Sequence, residues 1–180
     1  YHLLFEVFIW ERALLSQMED FKNYFELRNQ IRDEEEEVLR VLGSIQKYCY
    51  ANFFTYYSYI KDDKTFKNIK ESDFNEQVSI LTTPVDESKL SFHERHHKYS
   101  GESYYYHFTK DFDKAVISSR KTLQLMDENP IQIELSPFTY LSANMTYMLM
   151  LYRMRQYDEI LALCKKVKDL QHNLKQAKSS

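Results

Sequence analysis

The stretch Tyr104-Tyr-Tyr-His-Phe-Thr-Lys-Asp-Phe112-Asp-Lys-Ala115 decides how the chain is read. A ring-rich run meets a short polar break, and an aromatic residue then opens a second amphipathic run. An Asp or Thr just before that aromatic can accept a backbone N–H and cap the new helix. The pattern recurs as Asp20-Phe21-Lys22-Asn23-Tyr24, Thr65-Phe66-Lys67-Asn68-Ile69 and Gln156-Tyr157-Asp158-Glu159-Ile160. Phe21, Phe66, Phe112 and Tyr157 are spaced by 45, 46 and 45 residues. Six residues before each stands an apolar or aromatic residue, namely Leu15, Ile60, Tyr106 and Leu151. A loose pattern in one copy means little; four copies in near-constant phase read as an internal repeat.

The physical unit this implies is a helical hairpin, with the recurring ring wedged between its two helices. Only two glycines and three prolines occur in 180 residues, too few for the tight turns of a sheet-rich domain. The expected architecture is therefore all-α, a single domain over 1–180 built from four antiparallel helix pairs at about 2–31, 34–82, 90–128 and 138–176. Within the first two pairs the expected helices are 2–17, 20–31, 34–60 and 64–82. Breaks are expected at Asp33, from Thr82 to Asp86, and from Glu128 to Pro137, the last with room for a short extra turn. The acidic run Asp33-Glu-Glu-Glu-Glu37 is read as a helix opening, where carboxylates face the positive end of the helix dipole.

On these residues the chain resembles the tetratricopeptide-repeat superfamily. Tyr104 to Ala115 reads like that repeat's helix, turn and second-helix start, with Ala115 at the close crossing and Pro130 near the end of the unit. Gln156-Tyr-Asp-Glu159 is a weaker second match. The sequence departs from the family in carrying Met148 where Ser103 stands one unit earlier, and Tyr24, Ile69 and Ile160 where Ala115 stands. Its period also exceeds the roughly 34 residues of the standard repeat. The resemblance implies a right-handed superhelical solenoid whose first helices line a concave, partner-binding face.

Bulk composition narrows the function classes. A formal charge of −3 and a pI near 6.1 disfavour a nucleic-acid surface, which needs a basic stripe. Lys165, Lys166, Lys168, Lys175 and Lys178 are read as cations opposing a helix C-terminal dipole. Cys49 and Cys164 lie in apolar helical runs and are read as core thiols of a reducing, cytoplasmic compartment. No apolar run approaches the roughly 18 residues needed to span a bilayer. The chain opens on Tyr1, so it is read as a piece of a longer protein, its scaffold or sensor part.

One motif carries a specific chemistry. His93-Glu94-Arg95-His96-His97 is a formal HExxH, which on a helix presents two imidazoles to zinc and a glutamate as general base. It is the basis of an alternative reading as a zinc-dependent hydrolase, with His93 and His97 as ligands. Against it, Ser100 and Ser103 stand where the extended motif wants glycine and a third histidine. Ser91 and Glu94 also have the spacing of a capping box, a structural use that needs no metal. No Gly-rich phosphate loop, paired-cysteine motif or serine-nucleophile signature occurs. No enzymatic activity and no cofactor are expected.

The expected function is a non-enzymatic protein or peptide interaction module. By the resemblance, Ser58, Lys61, His97, Tyr104, His107, Leu149, Tyr152 and Arg153 look into the groove. Their rings, imidazoles and cations would suit an extended peptide of some acidic character. Met145, Met148, Met150 and Met154 are read as core packing.

Overall fold

The computed structural model describes residues 2–15, 21–60 and 71–177, and these are predominantly helical with no strand among them. The helices are α1 (His2–Leu15), α2 (Phe21–Ile60), α3 (Glu71–Thr82), α4 (Phe92–Phe108), α5 (Phe112–Asp127), α6 (Pro130–Leu135), α7 (Pro137–Arg153) and α8 (Tyr157–Ala177), with one 3-10 turn at Glu87–Lys89. No helix among the described residues is long and apolar enough to cross a membrane. The chain divides into two compact units, Tyr1–Gln46 and Lys47–Ser180. α2 contributes its first part to one and its remainder to the other.

In the first unit the expected break at Asp33 does not exist. α2 runs through it as one helix of 40 residues. The acidic run lies in mid-helix, where glutamate is a good helix former. Its charge is offset locally: Arg40 grips Glu37 through two hydrogen bonds of 2.7 and 2.8 Å, Arg32 reaches Asp33, and Arg12 of α1 pairs with Glu35. No proline interrupts α2, and its one glycine, Gly43, is tolerated at a modest cost in propensity.

In the second unit α5 is the central element. It packs against α4 on one side and α7 on the other, and α7 in turn packs against α8. Eight of its side chains are buried, three of them Ser or Thr. The main core joins Ala115, Leu123 and Met126 of α5 with Tyr140, Tyr147, Met150 and Leu151 of α7 and Leu163 of α8. Each fully buried large apolar side chain contributes roughly 1.5–3 kcal/mol. A smaller cluster gathers Tyr48 and Ala51 of α2 around Leu81 of α3. Of the methionine stripe, Met150 is core and Met148 and Met154 pack against it, but Met145 is exposed. The extra turn allowed for after Pro130 is α6.

The hairpin turns repeat bond for bond. At the end of α4, Lys110 N–H donates to His107 C=O (3.1 Å) and Asp111 N–H to Tyr106 C=O (2.8 Å). At the end of α7, 45 residues on, Arg155 N–H donates to Tyr152 C=O (3.1 Å) and Gln156 N–H to Leu151 C=O (3.0 Å). This is the Schellman closure, and its left-handed position is held by Lys110 (φ 63°) and Arg155 (φ 58°) instead of glycine. Asp111 accepts from Lys114 N–H and caps α5. The recurring ring does not wedge deeply between the helices as expected. Phe112 packs edge-on against His107 and Tyr157 edge-on against Tyr152, again 45 residues apart, and Tyr157 is half exposed. Phe21 is the first described residue of α2; Phe66 lies outside the described residues.

Tyrosine rings also latch neighbouring elements together. Tyr99 O–H donates to Glu87 while Lys121 pairs with the same carboxylate and lies over the Tyr99 ring. Burial pushes the Glu87 carboxyl up, and the Tyr99 hydroxyl and Lys121 ammonium more than reverse this, leaving it below its ordinary value. Lys166, 45 residues beyond Lys121, does the same with Asp127 and the Tyr140 ring. Arg120, Tyr147 and Glu159 form a third such trio. Lys166 thus serves a latch in mid-helix, not the dipole end assigned to it from sequence.

Candidate functional site

Between the helices of the second unit lies a cleft of about 310 Å³. α2 supplies Cys49, Asn52, Phe53 and Tyr56. α4 supplies His96, His97, Ser100, Ser103 and Tyr104, and α7 supplies Phe138, Thr139, Ser142, Ala143 and Thr146. Ser119 and Thr122 of α5, both buried, complete the lining. The helix that opens each successive hairpin, α4 and then α7, thus stands in the wall together with the C-terminal part of α2.

Local sequence explains these positions. Ser91 starts α4 with a full capping box: its hydroxyl accepts from Glu94 N–H (3.3 Å), and Glu94 Oε2 accepts from Ser91 N–H (2.7 Å). That fixes the helix phase and turns His96, His97, Ser100, Ser103 and Tyr104 toward the cleft. Gly101 lets α4 approach α2 and α3 closely, since a Cβ there would lie 2.8 Å from both Leu81 methyls and 3.1 Å from Asn52 Cα. Below it, buried Lys98 donates to Leu81 C=O and pairs with Glu102, which also accepts from Ser118. The polar layer under the cleft is therefore internally neutralised.

Among the described residues the lining contains no Asp, Glu, Lys or Arg. Its hydroxyls are largely engaged within their own helices: Ser103 donates to Ser100 C=O, Ser119 to Ala115 C=O and Thr122 to Ser118 C=O. Tyr104 and Thr146 bond each other across the cleft (3.2 Å), and Tyr56 packs on the Tyr104 ring. Asn52 Nδ2 lies 3.3 Å from His97 Nδ1. Burial, with the neighbouring histidines, pushes His96 down to about 4 and His97 below its ordinary value, so both imidazoles are neutral at neutral pH. Exposed Phe53 and Phe138 form an aromatic rim.

Of the expected groove residues, His97 and Tyr104 line the cleft. His107 and Arg153 sit at the C-terminal ends of α4 and α7, outside the lining, close enough that Arg153 adds to burial in lowering the His107 pKa. Tyr152 is exposed against Tyr157, and Leu149 is half-buried outside the lining. Lys61 and the Ser58 side chain lie outside the described residues. Within HExxH, Glu94 is 1% exposed and holds the capping box, while His93 is exposed beside Phe92. Among the described residues, no group of three or more His, Cys, Asp or Glu side chains gathers as metal ligands would. Both cysteines are free and exposed, not core, and Cys49 is on the cleft wall.

The sequence reading missed the small hydroxyl residues of the wall. Their signal was spacing: Thr139, Ser142 and Thr146 recur at three and four residues along a helix that carries no charge before Arg153. No protein-family model, no curated protein and no solved structure matches the chain.

Proposed function

We propose that the chain is a non-enzymatic interaction module of the tetratricopeptide-like helical-repeat kind, and that its cleft holds a segment of a partner protein. The observation that carries this reading is the ring-rimmed, uncharged cleft between α2, α4 and α7. Support for a repeat comes from the identical turn bonding and ring pairing 45 residues apart at the α4–α5 and α7–α8 junctions. In a repeat stack each unit leaves flanks that its neighbours bury, and the curved inner face remains for a ligand. Among the described residues the cleft wall carries no charged side chain, which favours an uncharged peptide over the acidic one expected from the sequence.

Peptide-display selection against the purified chain tests this. Enriched peptides should lose capture by tenfold or more when Phe53→Ser and Phe138→Ser are combined, because exposed rings in a rim are the natural anchors of such an interface. Both side chains are more than half exposed, so the fold should survive, as circular dichroism would verify. No enrichment, or capture indifferent to the double variant, overturns the proposal.

A further inference from the structure

We infer that the cleft takes an uncharged phenolic ring, supplied by a tyrosine side chain or by a free phenol. The inference rests on the interaction-module reading for the source of the ring, but not for the ring itself.

Electrostatics excludes most ligand classes first. An anion such as a phosphate or carboxylate would lose its hydration and meet no cation among the described lining residues, and an ammonium or guanidinium would meet no carboxylate among them. What remains is a neutral group. Size comes next: about 310 Å³ is at the lower end of the roughly 300–1,000 Å³ of small-molecule sites, room for one ring and its attachment. Phe53, Tyr56, Tyr104 and Phe138 offer ring faces and edges for it to pack on.

Hydrogen bonding then selects among neutral rings. The hydroxyls of Ser103, Ser119 and Thr122 already donate to carbonyls of their own helices and can only accept, those of Ser100 and Ser142 can rotate to give or take and so select no ring, and Tyr104 is bonded to Thr146. The two imidazoles are different. His96 makes no hydrogen bond, and His97 makes one, through Nδ1 to the Asn52 amide. None of their other ring nitrogens is among the sealed-off polar atoms. Because the Asn52 amide donates to His97 Nδ1, the His97 proton sits on Nε2, which must donate. Neutral His96 keeps one bare nitrogen, which must accept. A hydroxyl gives one hydrogen bond and takes another, so a phenol answers both rings. An indole N–H answers only His96, and a phenyl ring answers neither.

The test uses the intact chain and calorimetric titration with p-cresol, toluene, p-cresyl phosphate, and matched Tyr and Phe versions of a display-selected peptide. p-Cresol is expected to bind at least roughly tenfold more tightly than toluene, the usual consequence of leaving buried hydrogen-bonding groups unmet. The phosphate should bind more weakly than p-cresol. In His96→Leu the p-cresol/toluene ratio should fall toward one. Ser142→Trp, at an exposed wall position, should block p-cresol without affecting folding, and it decides the matter if the His96 variant does not fold. Equal binding of p-cresol and toluene, or preference for the phosphate, overturns the inference. If p-cresol binds selectively while neither peptide binds, the inference holds with a free phenol as ligand and the peptide reading fails. If the Tyr and Phe peptides bind equally, the peptide reading holds and the inference is overturned.

Discussion

Replacing each of the two glycines by alanine should move stability in opposite directions. Gly101 is in the interior of α4, and its missing Cβ is what allows the helix to touch Leu81 and the Asn52 backbone. A methyl there would sit 2.8 Å from both Leu81 Cδ atoms, so rotating that side chain trades one clash for another. Leu81 is fully buried against Tyr48 and Ala51 and has nowhere to retreat. Asn52 Cα, at 3.1 Å, is backbone and moves only if α2 moves. Overpacking of this kind costs about 1–3 kcal/mol, and the better helix propensity of alanine returns about 1 kcal/mol. The net for Gly101→Ala is a loss of about 1 kcal/mol, together with a wider α2–α4 spacing and a stretched Asn52–His97 bond. Gly43, in α2, has no atom within 4 Å of a would-be Cβ, so Gly43→Ala should gain about 1 kcal/mol from propensity alone. Amide hydrogen exchange read by mass spectrometry is the assay, because it reports protection in α4 and in the first part of α2 separately. Equal or greater protection of α4 in Gly101→Ala would refute the close-approach reasoning.

Three further outcomes follow from the same contacts. His96 titrates near 4 in the fold and near 6.5 unfolded, so the unfolded chain takes up the proton first. Stability is therefore full above about pH 6.5 and falls as pH drops toward 4, by about 1–3 kcal/mol, with His97 and His107 acting in the same direction. Urea midpoints at about pH 7 and pH 5 check this; a flat profile, or an unchanged slope in His96→Gln, contradicts it. Lys98→Ala should cost about 3–5 kcal/mol in urea unfolding by stranding the buried Glu102 carboxylate, and Lys98→Met with Glu102→Gln should recover most of the loss. Lys110→Gly and Arg155→Gly should each raise the thermal midpoint, since a left-handed non-glycine residue costs about 1–2 kcal/mol; a lowered midpoint would show that those side chains do more than mark the turn.

How far the sequence could be read depended on how local the cause was. Asp111-Phe112 and Gln156-Tyr157 marked hairpins because a turn is closed by its own six residues. Ser91 and Glu94 marked a helix start for the same reason. Asp33 misled, because a dense carboxylate run resembles a helix opening unless the cations that offset it are seen, and Arg12 comes from another helix. Cys49 and Cys164 looked apolar by their neighbours, yet their phase puts them on outer or cleft-facing sides. The cleft was half visible: His97 and Tyr104 stood out as unusual side chains, while Ser119, Thr122 and Ser142 were not singled out. Nothing in a one-dimensional pattern says that three such faces converge.

The latches built on Tyr99, Tyr140 and Tyr147 set two chemically distinct groups of phenols apart among the described residues. Those three rings are at most 6% exposed, with their oxygens committed to Glu87, Asp127 and Glu159. Tyr50, Tyr57, Tyr152 and Tyr157 are open to solvent. A nitrating or iodinating reagent should therefore mark the second group in the native protein and reach the first only after the helices separate. The protein thereby carries its own footprinting label for the integrity of the helical stack.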